Sequence, residues 1–250
     1  PMQNEPMNDL KQPLANNLIS VDCVIFGYDG EQLKVLLANR LAHNGDDEVR
    51  DKKLPGDIIF LNEDLNLASA RILHELTGLK GIDMCQFRAY GSKDRTNKRV
   101  DVEWLAQQHN LNTDEIVIVT VAYLAVVKLD RNINAKTAAN DAEWVSVGEI
   151  ASNNALAFDH NTIIQDALTE LRNMVETEPA FIFDLIPTKF TAAQLRHIYE
   201  CIYGKEFDVR NFQKKINAMT YVTPLEEKEQ NVSHRAARYY RFDKVIYRNR

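Results

Sequence analysis

The sequence predicts an α+β protein of two domains: a mixed sheet packed with helices, then a small module of two helices and a β-hairpin. Three observations predict this. Strand-like apolar runs flank an amphipathic helical stretch in the first part of the chain, Thr177-Glu178-Pro179 interrupts a long helical pattern, and the charge changes sign beyond that break. With 250 residues the chain exceeds the usual size of one domain, and two modest domains fit the length.

Leu18 to Tyr28 (LISVDCVIFGY) and Leu33 to Asn39 are rich in β-branched and aliphatic residues and are separated by Asp29-Gly30, a hairpin signal. Glu115 to Val127 and the shorter Glu143 to Val147 read as further strands of a sheet with mixed pairing. Leu65, Ala68, Ile72 and Leu76 fall at helical spacing, and Gly78 stands where a left-handed residue closes a helix. Ile164, Leu168, Leu171 and Val175 predict a second helix over Asn161 to Val175 that leads out of the first domain. The predicted organisation is a flexible N-terminus over 1–15, a first domain over 16–178 and a second over 179–250.

The second domain opens with the apolar run Phe181 to Ile186. Thr191 caps a helix whose stripe is Leu195, Ile198, Tyr199 and Ile202, and Gly204 ends it. Asp208 caps the next helix, which buries Val209, Phe212, Ile216 and Met219 and presents Arg210, Asn211, Gln213, Lys214 and Asn217 on its other face. Those side chains can donate to phosphates and base edges in a major groove. Tyr221 to Leu225, a charged tip and Arg238 to Phe242 form a ribbon carrying Arg235, Arg238 and Arg241. Helix, turn, helix and ribbon make a winged helix-turn-helix; the rival reading is a helical hairpin that docks on a partner protein.

Charge supports the first reading. The chain carries a net charge of -6, yet residues 181–250 hold 13 Lys and Arg against 8 Asp and Glu, whereas residues 1–180 hold 17 against 28. A basic module on an acidic body suits a reader of double-stranded DNA, because phosphate attraction supplies most non-specific affinity. No apolar run approaches a membrane span, and Pro1 to Lys11 is polar, so a cytoplasmic protein without membrane association is expected. Cys23, Cys85 and Cys201 are expected to be reduced, and no Cys or His spacing suggests a metal site.

From Leu54 the chain reads LPGDIIFLNEDLNLASARILHELTGL. It resembles the Nudix box, whose pattern starts here at Gly56 and recovers Glu63, Arg71, Leu73, Glu75, Gly78 and Leu79. One extra residue precedes Glu63, and Ile72 and Leu76 stand where the pattern has glutamates. Magnesium needs clustered oxygen ligands. Two hydrocarbon side chains cannot supply them, so no catalytic residues, metal or cofactor are expected; an active Nudix hydrolase remains a rival.

Gln86 to Gly91 (QFRAYG), Asp94-Arg95, Val119 to Leu124, Trp144-Val145, Leu156 to His160 (LAFDH), Phe190-Thr191 and Arg210-Asn211-Phe212 follow in the order found in the Nudix-related transcriptional regulators, which the chain resembles from about residue 16 onward. The resemblance implies a Nudix-type α/β/α sandwich followed by a winged helix, and a homodimeric repressor that leaves operator DNA when an effector binds. The arabinose-responsive branch, acting on carbohydrate metabolism, looks the more similar. The alternative is a repressor of NAD metabolism that senses ADP-ribose. L-arabinose is thus the favoured small-molecule effector, and Arg40, Lys53, Asp57, Asp141 and Glu143 are the candidate ligand-binding residues. Arg210, Asn211, Gln213, Lys214, Asn217, Arg235, Arg238 and Arg241 are the candidate DNA contacts.

Overall fold

The computed structural model describes residues 17–113, 116–152 and 156–250. The predicted flexible N-terminus and the predicted strand start at Glu115 lie outside them. The first part contains β1 (Leu18–Tyr28), β2 (Leu33–Asn44), β3 (Asp47–Lys53), β4 (Gly56–Ile58), α1 (Leu65–Thr77), β5 (Cys85–Tyr90) and α2 (Arg99–His109). It continues with β6 (Ile118–Lys128), α3 (Arg131–Ala139), β7 (Ala142–Ser146), α4 (Val147–Ser152) and α5 (His160–Thr177). The strands form one mixed sheet in the order β3-β2-β1-β6-β5, with β4 added to β1 and β7 to β2.

The centre of the sheet explains the long apolar runs. β1 and β6 pair in parallel from Leu18↔Ile118 to Tyr28↔Lys128, and a strand with helices on both faces must be apolar on both. Val21, Cys23 and Ile25 face the layer containing Ala68, Ile72 and Leu73 of α1, while Val24, Phe26 and Tyr28 face Ile163, Ile164 and Leu168 of α5. The predicted helix, sheet, helix sandwich is the observed arrangement. Strand periodicity then puts Ser20 and Asp22 on the α5 face, with Asp22 only 5% exposed. A carboxylate in the middle of a buried parallel strand must be satisfied by specific partners.

Ile72 is fully buried in the core beneath the sheet, and Leu76 packs against the same cluster. Ile72 and Leu76 therefore complete the hydrophobic layer between α1 and the sheet. Asp64 caps α1, accepting from Leu67 N–H, and Gly78 ends it at φ 76°. β3, β4, β5, α2 and α3 are additional to the predicted elements, because short, polar or weakly periodic segments give no strong pattern.

The second part comprises α6 (Ile182–Leu185), β8 (Phe190–Thr191), α7 (Ala192–Tyr203), α8 (Val209–Ala218), β9 (Val222–Lys228), β10 (Arg238–Phe242) and α9 (Lys244–Arg248). β8, β10 and β9 make a three-stranded sheet. Phe183 and Phe242 stack with centroids 4.3 Å apart, and Tyr199 meets Phe212 edge-on at 5.2 Å, so wing and helices share one aromatic core. That core is continuous with the first part: Leu195, Ile198, Tyr199 and Ile202 belong to the same buried cluster as Leu168, Leu171 and Val175 of α5. Among the described residues, no helix is long and apolar enough to cross a membrane.

Thr191 forms a full capping box: its hydroxyl accepts from Gln194 N–H, and the Gln194 side chain accepts from Thr191 N–H. Thr191→Ala is expected to lower stability by about 1 kcal/mol, read as a lower urea midpoint with an unchanged slope.

Candidate functional site

A cleft opens on the α5 face of the sheet, lined by Ser20 and Asp22 of β1, Lys53, Gly56, Asp57 and Ile58 around β4, Arg95 in the turn before α2, Trp104 and Leu105 of α2, and Ile118, Phe158 and His160. Asp22 is its floor. One carboxylate oxygen accepts from the Thr120 hydroxyl at 2.7 Å and lies 3.7 Å from Arg95 Nη2; the other faces His160 Nε2 at 3.5 Å. Leu54 N–H donates to His160 Nδ1 at 2.9 Å. The ring's hydrogen therefore sits on Nε2, toward Asp22. Burial, reinforced by Lys53, holds the His160 pKa well below its usual value, so the imidazole is neutral.

Gly56 crosses directly over this carboxylate. A Cβ there would lie 1.9 Å from Asp22 Oδ1, so the first residue of the box is glycine for the close approach. The segment from Leu156 to His160 closes the cleft from the other side. Ala157 N–H donates to Lys52 O, Phe158 N–H to Asp101 Oδ2, and the Asp159 carboxylate takes Arg95 at 3.0 and 3.2 Å. Phe158 is held at φ 52°, an unfavourable conformation for a bulky side chain. Its ring is tilted against His160 with centroids 5.3 Å apart and meets Trp104 edge-on at 6.4 Å, giving the cleft an aromatic wall.

The five candidate ligand residues part company here. Lys53 and Asp57 line the cleft. Lys53 is buried and donates to Leu54 O and Gly56 O, leaving one of its three hydrogens for a ligand. Burial lowers its pKa against the opposing pull of Asp22 and Asp57. Asp57 Oδ1 lies 2.8 Å from His109 Nε2. Arg40 lies behind the wall and is itself buried, bound to Asp51 in a two-pronged pair, 2.7 Å from Asp101 Oδ1, and beneath Trp104 and Phe158. Its role is to brace α2 against β3. Asp141 pairs with Asn39, and Glu143 forms an ion pair with Lys52; both line surface grooves around β2, β3 and β7, apart from the cleft. Asp22, Arg95, Trp104, Phe158 and His160 line the cleft without being among the expected ligand residues, although Arg95, Phe158 and His160 lie in the Asp94-Arg95 and LAFDH motifs.

The box carboxylates are occupied. Arg71 takes both oxygens of Glu63 at 2.5 and 2.9 Å, reaches Glu75 at 3.2 Å, donates to Ile58 O and lies over the Phe60 ring at 3.9 Å. The guanidinium holds the Glu63 pKa below the usual carboxylate range. With Glu63 and Glu75 committed to one cation, and hydrocarbon at Ile72 and Leu76, the residues present do not fit a magnesium ion at the box.

The winged helix presents a second site. α8 exposes Arg210, Asn211, Lys214 and Asn217. Gln213 turns toward the wing and donates to Asn217 Oδ1 and Tyr240 Oη. A groove between α7, α8 and the wing is lined by Gln213, Arg235 and Arg238 together with Arg196 and Lys228, which the sequence reading had not named. Arg241 lies off this groove, beside Thr223 and Asp243.

These two sites define a class: a Nudix-like α/β domain followed by a winged helix. Residues 182–242 match the NrtR DNA-binding winged helix domain, and they follow a Nudix-like α/β domain. It is 29% identical over 236 residues, 93% of this chain and 84% of the relative, to the ADPR responsive transcriptional repressor NtrR of Acinetobacter baylyi. Among solved structures it is similar to Shewanella oneidensis NrtR complexed with a 27mer DNA (23% identity, TM-score 0.61, 91% of this chain and 94% of that one). A MutT/nudix family protein from Enterococcus faecalis is also similar (22%, TM-score 0.57, 91% and 88%).

A neutral His160 makes folding pH-dependent. Its pKa is lower in the folded chain than unfolded, so its contribution is complete above the unfolded value of about 6.5 and is lost as pH falls from there toward the folded value. The wild-type urea midpoint should therefore drop between pH 7.5 and 5.5 more steeply than that of His160→Asn, which keeps an acceptor for Leu54 N–H without a titrating ring.

Proposed function

We propose that the protein is a DNA-binding transcriptional repressor whose Nudix-like domain binds ADP-ribose as an effector and does not hydrolyse it. The observation that carries this reading is one chain holding both a basic groove beside an exposed helix and a separate cleft with an aromatic wall and a buried lysine. Arg210, Asn211, Lys214 and Asn217 are the proposed base-edge and phosphate contacts, Gln213 joins helix to wing, and Arg235, Arg238 and Arg241 lie against phosphates.

ADP-ribose is preferred to L-arabinose for two reasons. The named relative responds to ADP-ribose, and no relative described above supports arabinose. Trp104 and Phe158 offer a stacking surface for a planar base, Lys53 an uncommitted donor for a diphosphate, and Asp57 an acceptor for ribose hydroxyls. Lysine in place of a metal lets the cleft hold an anion that the box carboxylates, committed to Arg71, cannot bind through magnesium. Effector and DNA then compete only through the different conformations they favour. In this reading the repressor is a homodimer whose two α8 helices meet successive half-sites of an operator.

Titration calorimetry is expected to show binding of ADP-ribose and none of L-arabinose, and Trp104→Ala to weaken that binding about 10-fold, the order of one lost stacking contact. Saturable arabinose binding with no response to ADP-ribose would reverse the assignment. On DNA, Arg238→Ala should weaken binding to all sequences and reduce the slope of log affinity against log salt by about 1, whereas Arg210→Ala with Lys214→Ala should also lower the preference for operator sequence. A double variant that binds operator as tightly as wild type removes α8 from the interface.

A further inference from the structure

The cleft and the winged helix are joined by one rigid element. α5 begins in the cleft: Phe158 and His160 line it, and the Asp159 side chain holds Arg95. It runs for 18 residues, about 27 Å at the helical rise. At its far end it grips the winged helix. Arg172 Nε donates to Ile202 O at 3.0 Å, at the C-terminus of α7, and Tyr203 Oη donates to the Glu176 carboxylate. Beyond Thr177, Tyr247 Oη donates to Glu178 and Arg250 reaches Thr177 O, so α9 is tied to the same end. Its buried face is continuous with the core of α7, and Gly204 closes α7 just before the turn into α8.

Other contacts also join the two parts: α6 packs against β6, and one further contact lies away from the cleft. The β1–β2 turn offers Glu31 O to His197 Nε2 at 2.7 Å and to Cys201 Sγ at 3.5 Å. It touches α7 on another side and involves no cleft residue.

We infer that α5 is the lever coupling ligand binding to DNA affinity: a ligand pressing on Phe158 and His160 displaces the helix, and Arg172 and Glu176 move the end of α7 that sets α8. The left-handed Phe158 suits this role. Its conformation is sustained by Asp101, Lys52 O through Ala157, and the Asp159–Arg95 pair, so a ligand that disturbs any of them releases the first turn of α5. The β1–β2 turn serves as a passive support. This inference rests on the proposed function for the ligand's identity, but not for the coupling, because coupling is reciprocal: DNA must perturb the cleft as the ligand perturbs DNA binding.

The test uses the full chain in a Trp144→Phe background, which leaves Trp104 in the cleft as the one tryptophan. Two quantities are measured: the change in Trp104 emission when operator DNA binds, and the ratio of DNA affinities without and with saturating ADP-ribose. Arg172→Ala with Tyr203→Phe should leave DNA affinity in the absence of ligand, and ADP-ribose affinity, within about threefold of the parent. It should abolish the emission change and bring the affinity ratio to within about twofold of unity. His197→Ala should alter neither quantity.

If the double variant fails to fold, Tyr203→Phe alone, which keeps the ring, should reduce both. Coupling that survives the loss of the Arg172 and Tyr203 contacts, or that His197→Ala abolishes, overturns the inference. An emission change lost only in the Arg172 and Tyr203 variants, with no effect of ADP-ribose on the parent, upholds the lever and overturns the ligand.

Discussion

The buried Asp22 carboxylate is the constraint around which the first domain is arranged. It lies in the middle of a buried, mostly apolar strand, and leaving it without partners would cost several kcal/mol. Thr120 on the neighbouring strand, the Nε2–H of a neutral His160 and the more distant Arg95 supply them. Each partner fixes another part of the fold. Thr120 ties it to the β1–β6 register, His160 starts α5 and receives the Leu54 amide, and Arg95 binds Asp159. Gly56 passes so close to the carboxylate that only a residue without Cβ fits. The polar floor of the cleft is thus an outcome of satisfying one charge.

The Nudix-like box keeps its shape while its carboxylates serve another purpose. Arg71 gathers Glu63, Glu75 and the Ile58 carbonyl, fixing the β4–α1 loop as a cation bound from solution would. An internal guanidinium does this without an exchangeable ion, and Ile72 then joins the core instead of facing a ligand. A loop secured in this way can hold one wall of a binding cleft.

Much of the architecture was legible in the sequence because it rests on local rules. The β1–β2 turn at Asp29-Gly30, the Gly78 and Gly204 helix ends, the Thr191 and Asp208 caps and the order of helices and wing all follow from turn and capping chemistry that acts within a few residues. The cleft was legible only in part. Lys53 and Asp57 adjoin the box and were found by proximity to it, whereas Asp22 is hidden inside an apolar run and Trp104 and His160 come from distant segments. Arg40 shows the opposite case: a charged residue at a strand suggests a ligand, but the fold encloses it between Asp51 and Asp101. LAFDH carried the missing signal, since a Phe-Asp-His sequence just before an amphipathic helix places three functional side chains at one helix start.

In the proposed function the cleft recognises without cleaving, and recognition controls DNA binding. Fluorescence anisotropy of labelled operator DNA, titrated with ADP-ribose first in EDTA and then in magnesium, with the nucleotide recovered and analysed afterwards, tests both halves together. Equal release of DNA in the two buffers and intact ADP-ribose in each are expected. Release that requires magnesium, accompanied by AMP and ribose 5-phosphate, would contradict it.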